Sequence, residues 1–122
     1  MFANRFTALV DACALAGALK RNLLLTLAEA EFFRLRWSDQ ILDETEAAIT
    51  SILSGKGVED AADRAARART AMVTAFEEAG VDDFSGMIGA VVGLPDENDR
   101  HVVAAALKTS AAIIVTDNLK DF

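Results

Sequence analysis

The sequence predicts an α/β fold: a three-layer α/β/α sandwich around a central, mainly parallel sheet of about 4 to 5 short strands. Two observations set the sheet. Phe6-Thr7-Ala8-Leu9-Val10 runs into Asp11, and Ala112-Ile113-Ile114-Val115 runs through Thr116 into Asp117. Continuous apolar runs of this length read as strands buried on both faces. A third observation sets the layers: the segments between these runs carry apolar residues at helical spacing.

After the first strand, residues 14–19 make a short helix, and residues 21–33 a longer one with Leu24, Leu27, Ala28 and Phe32 on a common face. Arg34-Leu35-Arg36-Trp37 is a short strand. Ser38 is a good N-cap for a helix over about residues 39–53, which carries Ile41, Leu42, Thr45, Ala48, Ile49, Ile52 and Leu53 toward the core. Gly55 and Gly57 end it. A further helix spans about residues 59–79, with Ala61, Ala62, Ala65, Met72, Val73 and Phe76 at helical spacing, and stops at Gly80. Residues 84–93 read equally as a short strand or one turn of helix. Pro95 closes that stretch, and Asp96 or Asn98 caps a helix over about residues 99–109 that leads to the last strand.

The composition bounds the chemistry. With 122 residues, 52% hydrophobic and 25% charged, residues 1–122 form a single domain with a real core. No apolar stretch approaches the ~20 residues of a membrane span, and the first apolar run, stopped by Asp11, is not a signal peptide. A lone Cys13 allows no internal disulfide, so a cytoplasmic protein is expected. One His and one Cys cannot assemble a zinc site of Cys and His ligands, so metal binding must rest on oxygen. Phosphate-loop, dinucleotide-turn and serine-hydrolase motifs are lacking. The net charge of -7 opposes wholesale attraction to nucleic acid. A nuclease remains compatible with it, because a bound cation can be the largest local charge.

Acids at the ends of two parallel strands place carboxylates in one cleft, since the ligand crevice of an open α/β sheet lies at the carboxyl ends of its strands. Helical geometry supplies more. At 100° per residue, the apolar face of the helix after Ser38 leaves Glu44 on one edge and Glu46 on the other, while Asp43 points away. Either Glu44 or Glu46 can enter a cleft. On the helix after Pro95, Val102, Val103, Ala106 and Leu107 face the core, Asp99 lies on that side in the first turn, and His101 falls on the polar side.

Four segments carry a resemblance: Ala8-Leu9-Val10-Asp11-Ala12, Arg36-Trp37-Ser38-Asp39-Gln40-Ile41-Leu42-Asp43-Glu44, Leu94-Pro95-Asp96-Glu97-Asn98-Asp99-Arg100-His101-Val102, and Ile114-Val115-Thr116-Asp117-Asn118-Leu119-Lys120-Asp121-Phe122. In order and spacing they resemble a PIN domain, a family of metal-dependent ribonucleases, and in particular the branch that supplies toxins of bacterial toxin/antitoxin modules. The resemblance selects Glu44 over Glu46 and implies a catalytic set of Asp11, Glu44, Asp99 and Asn118. The implied metal ligands are Asp11, Asp99, Glu44 and Asp117, and the implied cofactor is Mg²⁺ or Mn²⁺. It further implies an RNA substrate, products with 5′-phosphate and 3′-hydroxyl ends, a cognate antitoxin and a homodimer.

The match departs from the family pattern in places. Asn118 stands where the family has an acid, and Asp117 beside it is the alternative; adjacent residues on an extended segment point oppositely, so one of the two enters the site. Cys13 stands where Ser or Asn is common and reads as a small buried apolar residue. The sequence stops at Phe122, where many relatives add a strand, as in a compact member or one whose sheet edge is lost. Lys20, Arg21, Arg34, Arg36 and Arg100 lie nearest the strand ends in sequence, but none is assigned to substrate. Leu23-Leu24-Leu25-Thr26-Leu27 puts leucines on more than one helix face, so part of it is left uncovered in a monomer unless the sheet and the neighbouring helix cover both faces. A receiver-type signalling domain is disfavoured because the second strand ends Trp37-Ser38 without an acid. The stronger rival is a PIN-like module that has lost catalysis and only binds.

Overall fold

Four short strands, all parallel, form the sheet in a computed structural model that describes residues 6–82 and 99–117. The strands are β1 (Phe6–Val10), β2 (Phe33–Ser38), β3 (Gly80–Val81) and β4 (Ile113–Val115), in the order β3-β2-β1-β4. Around them pack α1 (Ala12–Ala16), α2 (Ala18–Glu29), α3 (Asp39–Gly55), α4 (Ala61–Ala75) and α5 (Arg100–Thr109), giving the three-layer α/β/α sandwich. Register pairs Phe6 with Phe33 and Leu9 with Arg36 on one side of β1, and Ala8 with Ile113 and Val10 with Val115 on the other. Central β1 is therefore the strand whose Ala8, Leu9 and Val10 are fully enclosed.

Strand order reverses at β1. The chain steps from β1 to β2 to β3 in one direction, then returns through α5 to place β4 on β1's other side. Right-handed crossovers put the returning helix on the opposite face from the helices of the outward steps. The carboxyl ends of β1 and β4 thus form a topological switch point, where such sheets open a crevice.

Local chemistry explains most boundaries. Ser38 Oγ accepts the Ile41 N–H at 3.1 Å and starts α3, whose Ile41, Leu42, Thr45 and Ile49 are buried as the period requires. Several elements differ from expectation. The first helix begins at Ala12 because Asp11 caps it. Helix α2 ends at Glu29, and Glu31 takes a left-handed φ of 66°, so Phe32 lies beyond the helix and is half exposed. Helix α4 stops at Ala75: Phe76 turns inward to meet Trp37 edge-on, ring centroids 6.0 Å apart, and a 3₁₀ turn (Glu77–Ala79) leads into the unforeseen strand β3. The ambiguous stretch at residues 84–93, the caps at Asp96 or Asn98, and Asn118 lie outside the described residues.

Candidate functional site

Asp11 is buried at the carboxyl end of β1, and every part of it is tied down. Its N–H donates to the Val115 carbonyl at 2.9 Å, prolonging the β1–β4 pairing by one residue. Its Oδ1 accepts the Ala12 N–H at 2.8 Å, the capping bond that starts α1. Its Oδ2 accepts from the Thr116 hydroxyl at 3.1 Å, and the Cys13 sulfur lies 3.4 Å from the same oxygen.

Thr116 and Cys13 are themselves in contact, Oγ1 to Sγ at 3.0 Å, and the Asp117 N–H donates to Cys13 Sγ at 3.1 Å. With one hydrogen on each of the thiol and hydroxyl, the three donors align in sequence: Asp117 N–H to sulfur, S–H to Thr116 oxygen, O–H to the Asp11 carboxylate. Cys13 is therefore a half-buried polar link between α1 and the end of β4, and not the apolar filler its composition suggested. Thr116 escaped the sequence-derived site altogether. The alternation of an extended segment is the signal that would have found it, because Thr116 turns toward Asp11 while Asp117 sends its exposed carboxylate to Lys20 Nζ at 2.6 Å.

The two edges of α3 serve different neighbours. Glu46 Oε1 lies 3.2 Å from Arg69 Nη1 on α4, and Asp43 Oδ1 approaches the same guanidinium nitrogen at 2.6 Å. The Asp43 hydrogen bond, opposed by burial and aided by Glu46, raises the Arg69 pKa above its ordinary value. Glu44 on the other edge places Oε2 3.1 Å from His101 Nε2 on α5. His101 is buried, only 4% exposed, which corrects its reading as a surface residue. Val102 and Ala106 are buried as the helical period requires, Ala104 and Ala105 join them, and Leu107 is left half exposed. Asp99 occupies the N-cap position of α5, half-buried and without a side-chain capping bond.

Most of the basic candidates serve structure. Lys20 holds Asp117. The Arg21 guanidinium donates to the carbonyls of Leu15 and Ala16 at 2.9 and 3.1 Å, closing the end of α1, and burial lowers its pKa. Arg36 donates to the Gly80 carbonyl at 3.0 Å, tying β2 to β3. Arg34 lines a groove of about 520 Å³ with Phe33, Phe76 and Glu78. That groove runs beside β2 residues level with Phe6 to Leu9, upstream of the strand end that carries Asp11.

Among the described residues, no three His, Cys, Asp or Glu side chains group as a metal cage. Mg²⁺ does not require one: it is held through one or two carboxylates, keeps several waters and takes oxygens from substrate phosphate. The hard oxygens of Asp11, Glu44 and Asp99 suit such an ion. The Cys13 sulfur does not.

Among known families, the model described as PIN domain matches residues 7–120. Neither the curated proteins nor the solved structures yield a match to this chain.

Proposed function

Because the chain belongs to the PIN domain family, whose members are generally nucleases that use divalent metal ions, we propose that it is a metal-dependent endoribonuclease, the toxin of a toxin/antitoxin module. The supporting observation is the place of Asp11. It is a buried carboxylate at the switch point between β1 and β4, fixed by hydrogen bonds from Ala12 at the start of α1 and from Thr116 just past β4. A carboxylate held this firmly is preorganised for a ligand entering at the strand ends.

In this reading Mg²⁺ or Mn²⁺ is held through one or two of the carboxylates of Asp11, Glu44 and Asp99 and completes its shell with water and substrate phosphate, with Asn118 or Asp117 as the remaining group of the set. The ion, when bound, supplies positive charge beside the scissile phosphate and lowers the pKa of nearby water. The protein's own part is orientation. Thr116, itself held by Cys13, fixes one oxygen of Asp11, and the α1 N-terminus fixes the other. Exposed Leu19 (85%) and Leu23 (59%) on α2 offer an apolar surface for a second copy of the chain. A basic side chain of the antitoxin would enter among the acids. A cytoplasmic site of action fits a toxin that meets RNA, and no helix among the described residues is long and apolar enough to cross a membrane.

A second reading, a PIN-like module that binds RNA without cutting it, draws on the fourth position, where Asp117 is paired with Lys20 and its neighbour is the neutral Asn118. Incubating end-labelled RNA with the full chain and Mg²⁺ or Mn²⁺, with and without EDTA, separates the two. Cleavage that EDTA abolishes, leaving 5′-phosphate ends, supports the nuclease; retained RNA binding without cleavage supports the module. Growth arrest on expression, relieved by a co-expressed neighbouring gene, tests the toxin role.

A further inference from the structure

We infer that His101 is a positioning residue that orients the Glu44 carboxylate toward the metal. The inference rests on the reading of Glu44 as a metal ligand. It begins from an oddity of burial: the chain's one histidine sits 4% exposed on the inward face of α5 among Val102, Ala104, Ala105 and Ala106. A polar ring in such company needs a compensating hydrogen bond, and its Nε2 finds one at Glu44 Oε2, 3.1 Å away. An ionised carboxylate only accepts, so Nε2 carries the proton. Nδ1, equally buried, has no hydrogen-bond partner among the described residues.

The two side chains differ in freedom. Glu44 is 43% exposed on a long, rotatable stem, whereas the imidazole is fixed by the packing around it. The hydrogen bond therefore transfers the order of the core to the carboxylate. It also joins the second turn of α3 to the first turn of α5, the turn that Asp99 opens. One oxygen of Glu44 is engaged with His101, and the other is left to a cation. Partners of this kind, which hold a metal-ligating group by hydrogen bonding, are worth about 10–100-fold in metal affinity.

Isothermal titration of the full chain with Mn²⁺ tests this through four variants. Glu44→Gln should weaken binding, and His101→Leu should weaken it about tenfold. His101→Gln, which returns an N–H near the position of Nε2, should restore parent affinity. Adding His101→Leu to Glu44→Gln should cost nothing more, because a residue acting through Glu44 has nothing left to orient. Parent-like affinity in His101→Leu, alongside a weakened Glu44→Gln, overturns the inference and leaves the metal site standing. Parent-like affinity in Glu44→Gln overturns the reading of Glu44 as a ligand, and this inference with it. A second measurement needs no variant at all. Since the chain has one histidine, its ring nitrogens are assigned without ambiguity in a long-range ¹H–¹⁵N spectrum. At mildly alkaline pH the Nε2–H tautomer is expected, with ring resonances that shift on adding Mg²⁺. The Nδ1–H tautomer would overturn the inference even if the leucine variant fails to fold.

Discussion

Replacing Thr116 by Val removes one oxygen from the centre of the Asp11 network and almost nothing else. The shapes match, and Val is at ease in an extended segment. The hydroxyl donates to Asp11 Oδ2 at 3.1 Å, and a hydrogen bond to a charged group contributes about 1.5–3 kcal/mol. Two facts place the cost at the lower end. Thr116 is only half-buried, and the Cys13 S–H, losing the Thr116 oxygen, still lies 3.4 Å from the same carboxylate oxygen and can turn to it. The expected loss is about 1–2 kcal/mol, or roughly 4–8 °C in melting temperature for a domain of this size. Thermal unfolding followed by circular dichroism measures it. Thr109→Val is the control: its hydroxyl donates at 3.1 and 3.2 Å to the Ala105 and Ala106 carbonyls on the same helix, and its removal should cost under about 0.5 kcal/mol. A Thr116→Val protein that melts with the parent, or no lower than Thr109→Val, refutes the claim that Thr116 fixes Asp11.

Three further outcomes are expected. Ser38→Ala removes the buried cap of α3 and should cost about 1 kcal/mol in chemical denaturation, without changing the slope of the transition. A double-mutant cycle of Arg69→Met with Asp43→Asn should return a coupling of about 0.2–1 kcal/mol that shrinks with added salt, because Asp43 is largely exposed. Mg²⁺ or Mn²⁺ at about 100 times its dissociation constant should stabilise the folded chain by about 2.7 kcal/mol, read as a rise in melting temperature that EDTA reverses.

The parts of the fold legible in the sequence were those whose signal is local. Phe6 to Val10 is a strand because an uncharged run ending in the three apolar residues Ala8, Leu9 and Val10 suits the centre of a parallel sheet. Helix α3 declares itself through Ser38 and a clean period. What escaped depends on neighbours distant in sequence. Strand β3 has two residues and exists because Trp37 and Ser38 offer it an edge. The period of α4 continues through Phe76, but the ring's contact with Trp37 ends the helix first. Helix α5 turns Val102 and three alanines inward and leaves Leu107 half exposed, and this rotation carries His101 into the interior. The site divides the same way. Asp11 was visible as the end of a strand, and the helical edge singled out Glu44 and Glu46. The Cys13–Thr116 link and the Glu44–His101 bond span 103 and 57 residues, and no spacing within one element reports them.

The most direct test of the central claim is the rate at which the full chain cuts RNA in Mg²⁺ when Asp11 is changed to Asn. The substitution keeps the shape: the amide oxygen accepts the Ala12 N–H, and the amide NH2, in the place of Oδ2, donates to the Thr116 hydroxyl oxygen, so a folded protein is expected. What it removes is the charge. Cleavage should fall by about 100-fold or more, since even the outer partners of a metal site carry up to that much. A folded Asp11→Asn protein that cuts RNA at the parent rate would contradict the account.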